Sequence, residues 1–194
     1  MRVLTIYCHP NPDSLIAAAR ERALSGLHSA GHDVRVTDLY ADGFDPAMTA
    51  AERKAHKEPG VSPDLQGYAD DLVWAEALVL IYPTWWSGQP AMLKGWIDRV
   101  WVAGVAWEMR EGARTPTPTL RNVRRIVVVT THGSSKLINA LEGESGKRTV
   151  TRAIRAMCAR RTRTTWCALY GVDTSDEQRR IDFLDRVEST LADL

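Results

Sequence analysis

Apolar residues fall into short runs separated by stretches in which they recur every third or fourth position. Val3 to Tyr7, Val34 to Thr37, Ala77 to Tyr82, Ile126 to Thr131 and Thr165 to Tyr170 are rich in Val, Ile, Leu and aromatics, and each ends in small or turn-forming residues. Runs of this length and kind predict strands of a parallel sheet buried on both faces. Between the first two, Leu15, Ala19, Ala23 and Leu27 recur at four-residue spacing, which predicts a helix closed by Gly31. Leu93, Trp96, Ile97, Val100 and Trp101 form a second apolar stripe, with Pro90 at its start. A third helix is predicted near the end, with Ser175 and Gln178 as a capping box and Ile181, Leu184, Val187, Leu191 and Leu194 as its buried face. Further helices are expected near Leu65 to Ala75 and Lys147 to Ala159.

Strands alternating with helices imply right-handed crossovers and an α/β fold, with helices on both faces of an open sheet. Five strands suit the order 2-1-3-4-5, in which a ligand sits beyond the carboxyl ends near the switch point between strands one and three. That rule selects the segments after Cys8, Tyr82 and Thr130. Two long connections, Ala41 to Pro63 and Gly104 to Asn122, read as lids, partner surfaces or mobile segments.

Composition narrows the class. A length of 194 residues, 44% hydrophobic and 25% charged, predicts a single domain over 1–194 and excludes disorder, collagen and coiled coil. No apolar run approaches the roughly 18 to 20 residues of a membrane span, and His9-Pro10-Asn11-Pro12 interrupts any signal-peptide core, so a cytoplasmic location is expected. Cys8, Cys158 and Cys167 lack metal or redox spacing and read as buried thiols. No metal site is expected, since His28 and His32 have no third ligand near them.

The formal net charge of +1 hides an asymmetry: thirteen Lys and Arg against three Asp and Glu between Arg110 and Arg163 give that segment +10 and the remainder −9. A solvated or partner-binding face, attraction of an anionic substrate and nucleic acid are the readings, in that order. No aromatics interleave the charges from Arg148 to Arg163, so no nucleic-acid partner is expected.

Three loops carry candidate chemistry. His9-Pro10-Asn11-Pro12-Asp13-Ser14-Leu15 leads into a helix and is either an anion site or a capped turn, with Asp13 or Ser14 as the cap. Pro83-Thr84-Trp85-Trp86-Ser87-Gly88 follows strand three. Adjacent tryptophans diverge at a strand end and cannot both enter the core, so one is expected to be exposed or to cover a planar ligand. Thr130-Thr131-His132-Gly133-Ser134-Ser135 offers small residues and free amides to a ring edge. There His132 reads as a proton donor, a ligand gate or, slightly favoured, a turn histidine. Gly143-Glu144-Ser145-Gly146-Lys147-Arg148-Thr149 departs from a nucleotide-binding P-loop in its glycine spacing and in Arg148, and reads as a charged loop.

Together these loops, with Leu93-Lys94-Gly95-Trp96-Ile97-Asp98-Arg99-Val100, Phe44-Asp45-Pro46 and Gly104-Val105-Ala106-Trp107, resemble the flavodoxin-like NAD(P)H quinone oxidoreductases over roughly residues 1–135. The resemblance implies a flavodoxin-like three-layer fold, a bound flavin, NAD(P)H as donor, a quinone-like acceptor, and commonly a homodimer. It implies that His9, Ser14, Leu15 and Ile16 hold the phosphate and ribityl end. Pro83, Thr84, Trp85, Trp86 and Ser87 would line the isoalloxazine, and Thr131, His132, Gly133 and Ser134 would meet its polar edge. The chain departs from the family pattern at Ile16, where many members have Asn, and at His132, where many have Gly. It also carries Ile138 and Glu144 where vertebrate-type members have Tyr and His, so no catalytic acid or base carries over. The short chain, without an adenine subsite after Thr131, favours FMN over FAD, and the basic segment favours NADPH. Two other readings are an accessory flavin-binding subunit, as some relatives are to potassium-efflux systems, and a flavin-free domain acting on a phosphorylated small molecule.

Overall fold

In chain order the elements are β1 (Arg2–Tyr7), α1 (Leu15–Ser29), β2 (Asp33–Asp38), α2 (Ala50–Ala55), α3 (Gln66–Trp74), β3 (Ala77–Pro83), α4 (Ala91–Val100), β4 (Trp107–Glu108), β5 (Thr117–Pro118), β6 (Arg125–His132), α5 (Lys136–Leu141), α6 (Ser145–Arg148), β7 (Arg163–Tyr170) and α7 (Glu177–Ala192). They come from a computed structural model, which describes residues 1–194. Five strands form one parallel sheet in the order β2-β1-β3-β6-β7, the predicted 2-1-3-4-5 topology. The two-residue strands β4 and β5 pair as a ribbon inside the second long connection. No helix is long and apolar enough to cross a membrane.

Period-two alternation divides the core. Val3, Tyr7, Val79, Ile81, Val127, Val129, Cys167 and Leu169 face α1 and α7, while Leu4, Ile6, Leu78, Leu80, Tyr82, Ile126 and Val128 face α3, α4 and the helix before β7. All seven residues of β3 are buried, which is why its sequence is continuously apolar. The three cysteines are buried and unbonded, and burial pushes the Cys8 and Cys158 thiols up to about 12.

Two glycines allow close approach. A Cβ on Gly26 would lie 2.4 Å from the Glu188 carbonyl oxygen, so its absence lets α1 and α7 touch backbone to backbone. A Cβ on Gly95 would lie 2.4 Å from Pro46, so the first long connection can cross α4. That connection is also pinned by Arg99, which is buried. Its Nε and Nη2 donate to Glu52 Oε1 at 2.9 and 2.7 Å, and its Nη1 donates to the Asp45 carbonyl. A capping box between Thr49 and Glu52 starts α2 within this segment.

The structure corrects the reading of the last helix. Gly171 adopts φ +65° and a 3₁₀ turn over Val172–Thr174 follows, so Asp176 is the N-cap, accepting from Arg179 N at 2.8 Å. Ser175 instead donates to the Val172 carbonyl, and Gln178 donates to Asp182. Phe183, Val187 and Leu191 form the buried stripe. Ile181, two residues and roughly 200° around the helix from Phe183, is 40% exposed. The helix expected over Lys147 to Ala159 starts earlier, at Ser145, and turns π-helical over Thr149–Ile154. At the sheet edge, Arg186 and Arg179 of α7 donate to the Ala168 and Tyr170 carbonyls, each at 3.0 Å.

Two outcomes follow. Gly26→Ala should destabilise the protein by about 1–3 kcal/mol through overpacking, read from the urea midpoint. Burial alone would raise the Glu52 carboxyl, but hydrogen bonds from Arg99 and Thr49 outweigh it and bring it down to about 2, from an ordinary 4.5. A depressed folded-state value contributes stability that is present above about pH 4.5 and is lost as pH falls toward 2. Glu52→Gln should therefore flatten the acid limb of the stability profile in that window, measured by urea titration at each pH.

Candidate active site

The parallel register delivers three loops to one end of the sheet. At the end of β1, His9 Nδ1 pairs with the Asn11 amide at 3.0 Å, and Asn11 Oδ1 accepts from Asp13 N at 2.9 Å. These bonds set the chain for α1, whose cap is Ser14, accepting from Ala17 N at 3.1 Å. The capped-turn reading therefore holds at Ser14. Capping satisfies only one donor: the amides of Ser14, Leu15 and Ile16 have no acceptor within the chain. Asp13 lies beside this helix start and is exposed, and Glu21 and Asp38 line the same cleft. The Ile16 side chain is buried against the sheet, so only its backbone is available there.

After β3, Thr84 N donates to the Thr131 carbonyl at 2.8 Å and ties the second loop to the third. Trp85 and Gly88 then exchange both backbone hydrogen bonds, at 3.2 and 3.1 Å, closing a two-residue turn. Its central residues, Trp86 and Ser87, have φ +49° and +59°. This is the conformation that Asn-Gly adopts easily, and Trp-Ser holds it at a cost of about 1–3 kcal/mol per residue. Neither tryptophan enters the core: Trp85 is 43% exposed and Trp86 fully exposed. The Trp85 ring lies 6.3 Å from that of His9, which makes the first and second loops neighbours.

The turn is held from below by the segment set aside as a charged loop. Ser87 donates to Glu142, and its carbonyl accepts from Gly146 N at 2.9 Å and Ser145 Oγ at 2.8 Å. Gln89 Nε2 donates to the Gly146 carbonyl at 2.8 Å. A Cβ on Gly146 would press on Ser87 and Gly88 at 3.1 Å, so the glycine serves this contact.

His132 is not a turn residue. It ends β6, is 6% exposed, and stacks on Tyr170 with centroids 4.4 Å apart and planes 14° from parallel. Its Nδ1 lies 2.7 Å from Asn139 Oδ1. Burial lowers its pKa, against the pull of Asn139 and Glu144. Thr131 is buried, while Gly133 and Ser134 lie at the surface with amides that make no hydrogen bond, as do those of Trp86 and Ser87.

Thr84, Trp85, Trp86, Ser87, His132, Gly133 and Ser134 share one cavity of about 390 Å³, completed by Asn139 and Glu142. Pro83, buried at the end of β3, stands behind it. Sequence reasoning missed Asn139 and Glu142; a lone Asn among the apolar residues of α5 was the available signal. A second cleft of about 650 Å³ opens on the β2 side of α1, lined by Tyr7, Ser14, Arg20, Asp38 and Tyr40 among others, with the buried Tyr7 hydroxyl unpartnered.

The basic segment is divided: Lys136, Lys147 and Arg148 lie on α5 and α6 beside the cavity, while much of the rest lies elsewhere. Arg124, Arg125, Arg160, Arg161 and Arg163 sit at or just before the amino ends of β6 and β7, opposite the loops of the cavity. Their placement does not direct a positive field at its mouth.

A family model described as a flavodoxin-like fold matches residues 1–188. NAD(P)H dehydrogenase [quinone] 1 of Cavia porcellus is 31% identical over 162 residues, 75% of this chain and 58% of the relative. The chain thus spans little more than half the length of the curated relatives it matches. Among solved structures, a Streptococcus mutans UA159 protein superposes with a TM-score of 0.87 at 27% identity, over the full length of both chains. The NAD(P)H:quinone oxidoreductase of Methanothermobacter marburgensis superposes with a TM-score of 0.83, also at 27% identity, over 100% of this chain and 96% of its own.

Removing the Asn139 partner tests the buried ring. Asn139→Leu should leave His132 Nδ1 unpaired and cost about 1–3 kcal/mol in a denaturant titration.

Proposed function

The chain belongs to the flavodoxin-like fold family, and from that membership we propose that it is a flavin-dependent oxidoreductase passing two electrons from NAD(P)H to a quinone or similar small acceptor. The observation that carries the reading is the set of unpartnered amides of Trp86, Ser87, Gly133 and Ser134 around one cavity beside two exposed tryptophans. Free N–H groups suit the carbonyl edge of a conjugated ring, and an exposed indole suits its face. The unpaired amides at the start of α1 suit a phosphate, and His9 and Trp85 link that end to the cavity. These residues therefore fit a flavin mononucleotide at both of its ends.

When bound, a flavin supplies the hydride-accepting ring, and the protein supplies position and electrostatics. Ser14, Leu15 and Ile16 would hold the phosphate through backbone N–H groups, with His9 beside them. Pro83, Thr84, Trp85, Trp86 and Ser87 would flank the ring, and the clamp through Ser87 and Gly146 keeps the strained turn in place. Thr131, His132, Gly133 and Ser134 would meet the polar edge. Trp86, wholly exposed, would exclude water once a donor or acceptor lies against it. A homodimer that covers this indole belongs to the same proposal, as does action in the cytoplasm.

FMN is the preferred cofactor. The cleft beside α1 favours FAD as a second reading, since it opens at the same helix start.

Purified protein supplied with FMN should take up a visible flavin spectrum and oxidise NADH or NADPH when a benzoquinone is present. Mass analysis of the pigment released on heating separates FMN from FAD. No uptake of either flavin would reject the proposal.

A further inference from the structure

Under the tryptophan turn lies a file of hydrogen-bonding side chains. Asn139 Nδ2 donates to the carbonyls of Ser134 and Ser135 at 3.2 and 2.9 Å, which fixes the amide and makes Oδ1 an acceptor. The His132 nitrogen 2.7 Å from that oxygen must then carry hydrogen, so the neutral ring is the Nδ1–H tautomer. Its Nε2 keeps a lone pair. That nitrogen lies 3.5 Å from Thr84 Oγ1, which in turn lies 2.9 Å from Thr130 Oγ1.

Donor and acceptor counting leaves two orderings of this file. With a neutral ring, hydrogens run from Thr130 to Thr84 to Nε2, and Thr84 keeps a lone pair for a donor in the cavity. With a proton on Nε2 the ring donates to Thr84, whose own hydrogen is released toward Thr130 or the cavity. Thr130 then has the Thr131 carbonyl, 3.5 Å away, to receive its hydrogen.

We propose that His132 is a positioning residue that reverses the Thr84 hydroxyl, switching Thr84 between accepting from and donating to a ring bound in the cavity. The inference rests on the flavin reading and deepens it. A neutral oxidised ring presenting an N–H is met by an acceptor. A ring that has gained electrons and negative charge is met by a donor, with a cation behind it. The proton comes from bulk water on reduction and returns there on reoxidation.

The charged and titratable surroundings of His132 are few. Tyr170 of β7 is stacked on it, and Asp173 lies beside Gly133. Glu144 and Glu142 favour its protonated form, and Lys147 opposes it. Burial favours its neutral form, and a negative charge arriving in the cavity would favour the protonated one.

Two measurements test this. In flavin-free protein with ¹⁵N-labelled histidine, NMR should find the His132 hydrogen on Nδ1, and Thr84→Val should shift the Nε2 resonance. An Nε2–H tautomer, or a resonance unmoved by Thr84→Val, overturns the proposal. In protein saturated with FMN, the midpoint potential should be followed from pH 5 to 8. Between the His132 titrations of the oxidised and reduced states it should gain the slope of one extra proton per two electrons, tenfold per pH unit or about 30 mV. His132→Gln and Thr84→Val should each abolish that extra slope; its persistence in both overturns the proposal. Failure to bind FMN would instead reject the flavin reading, with the flavin-free measurement still deciding whether His132 directs Thr84.

Discussion

Because β1, β3 and β6 run parallel and in register, the residues that leave them emerge at one level of the sheet. Tyr7 pairs with Ile81, and Pro83 with Thr131, so the loops that follow have little freedom in where they begin. The single bond from Thr84 N to the Thr131 carbonyl extends this register one residue past the sheet. Together with the Thr84 hydroxyl, 2.9 Å from Thr130 Oγ1, it joins the second and third loops. Joined in this way, the tryptophan turn and His132 are parts of one wall.

Order at this end is sustained both by residues of the cavity and by contacts that lie outside it. The Trp86 and Ser87 backbone is strained, and that strain is opposed by the hydrogen bonds reaching Ser87 from Glu142, Ser145 and Gly146. Farther away, the contact of α1 with α7 at Gly26 and the Arg99–Glu52 pair under the first long connection fix the layers that carry the loops. Those layers use few large side chains at their closest points, and small residues set the spacing between elements.

The central strands were legible because a doubly covered parallel sheet demands continuous apolar runs, and β3 shows that demand in full, whereas the edge strands β2 and β7, also read as buried, are mostly half-buried or exposed. The start of α1 was legible because Ser14 precedes an unbroken four-residue period. The start of α7 was not: Ser175 and Asp176 are both competent caps, and the Gly171 turn, a backbone choice, decides between them. Trp85 and Trp86 announced themselves through an impossibility, since adjacent side chains at a strand end cannot both be buried. His132 was misread as a turn residue because β6 runs one residue beyond its apolar stretch. Gly146 acts through Ser87 and Gly88, far from it in sequence, and no local pattern records such a contact.

The two arginines that reach from α7 to the carbonyls of Ala168 and Tyr170 bear on how the molecule behaves in a crowd. β7 is an edge strand, and an open row of carbonyls there would be a template on which another chain could add itself. Occupied by guanidinium groups, those positions offer charge in place of a free acceptor. That edge of the sheet thus meets solvent with two of its carbonyls already engaged, by the same helix that covers one face of the core.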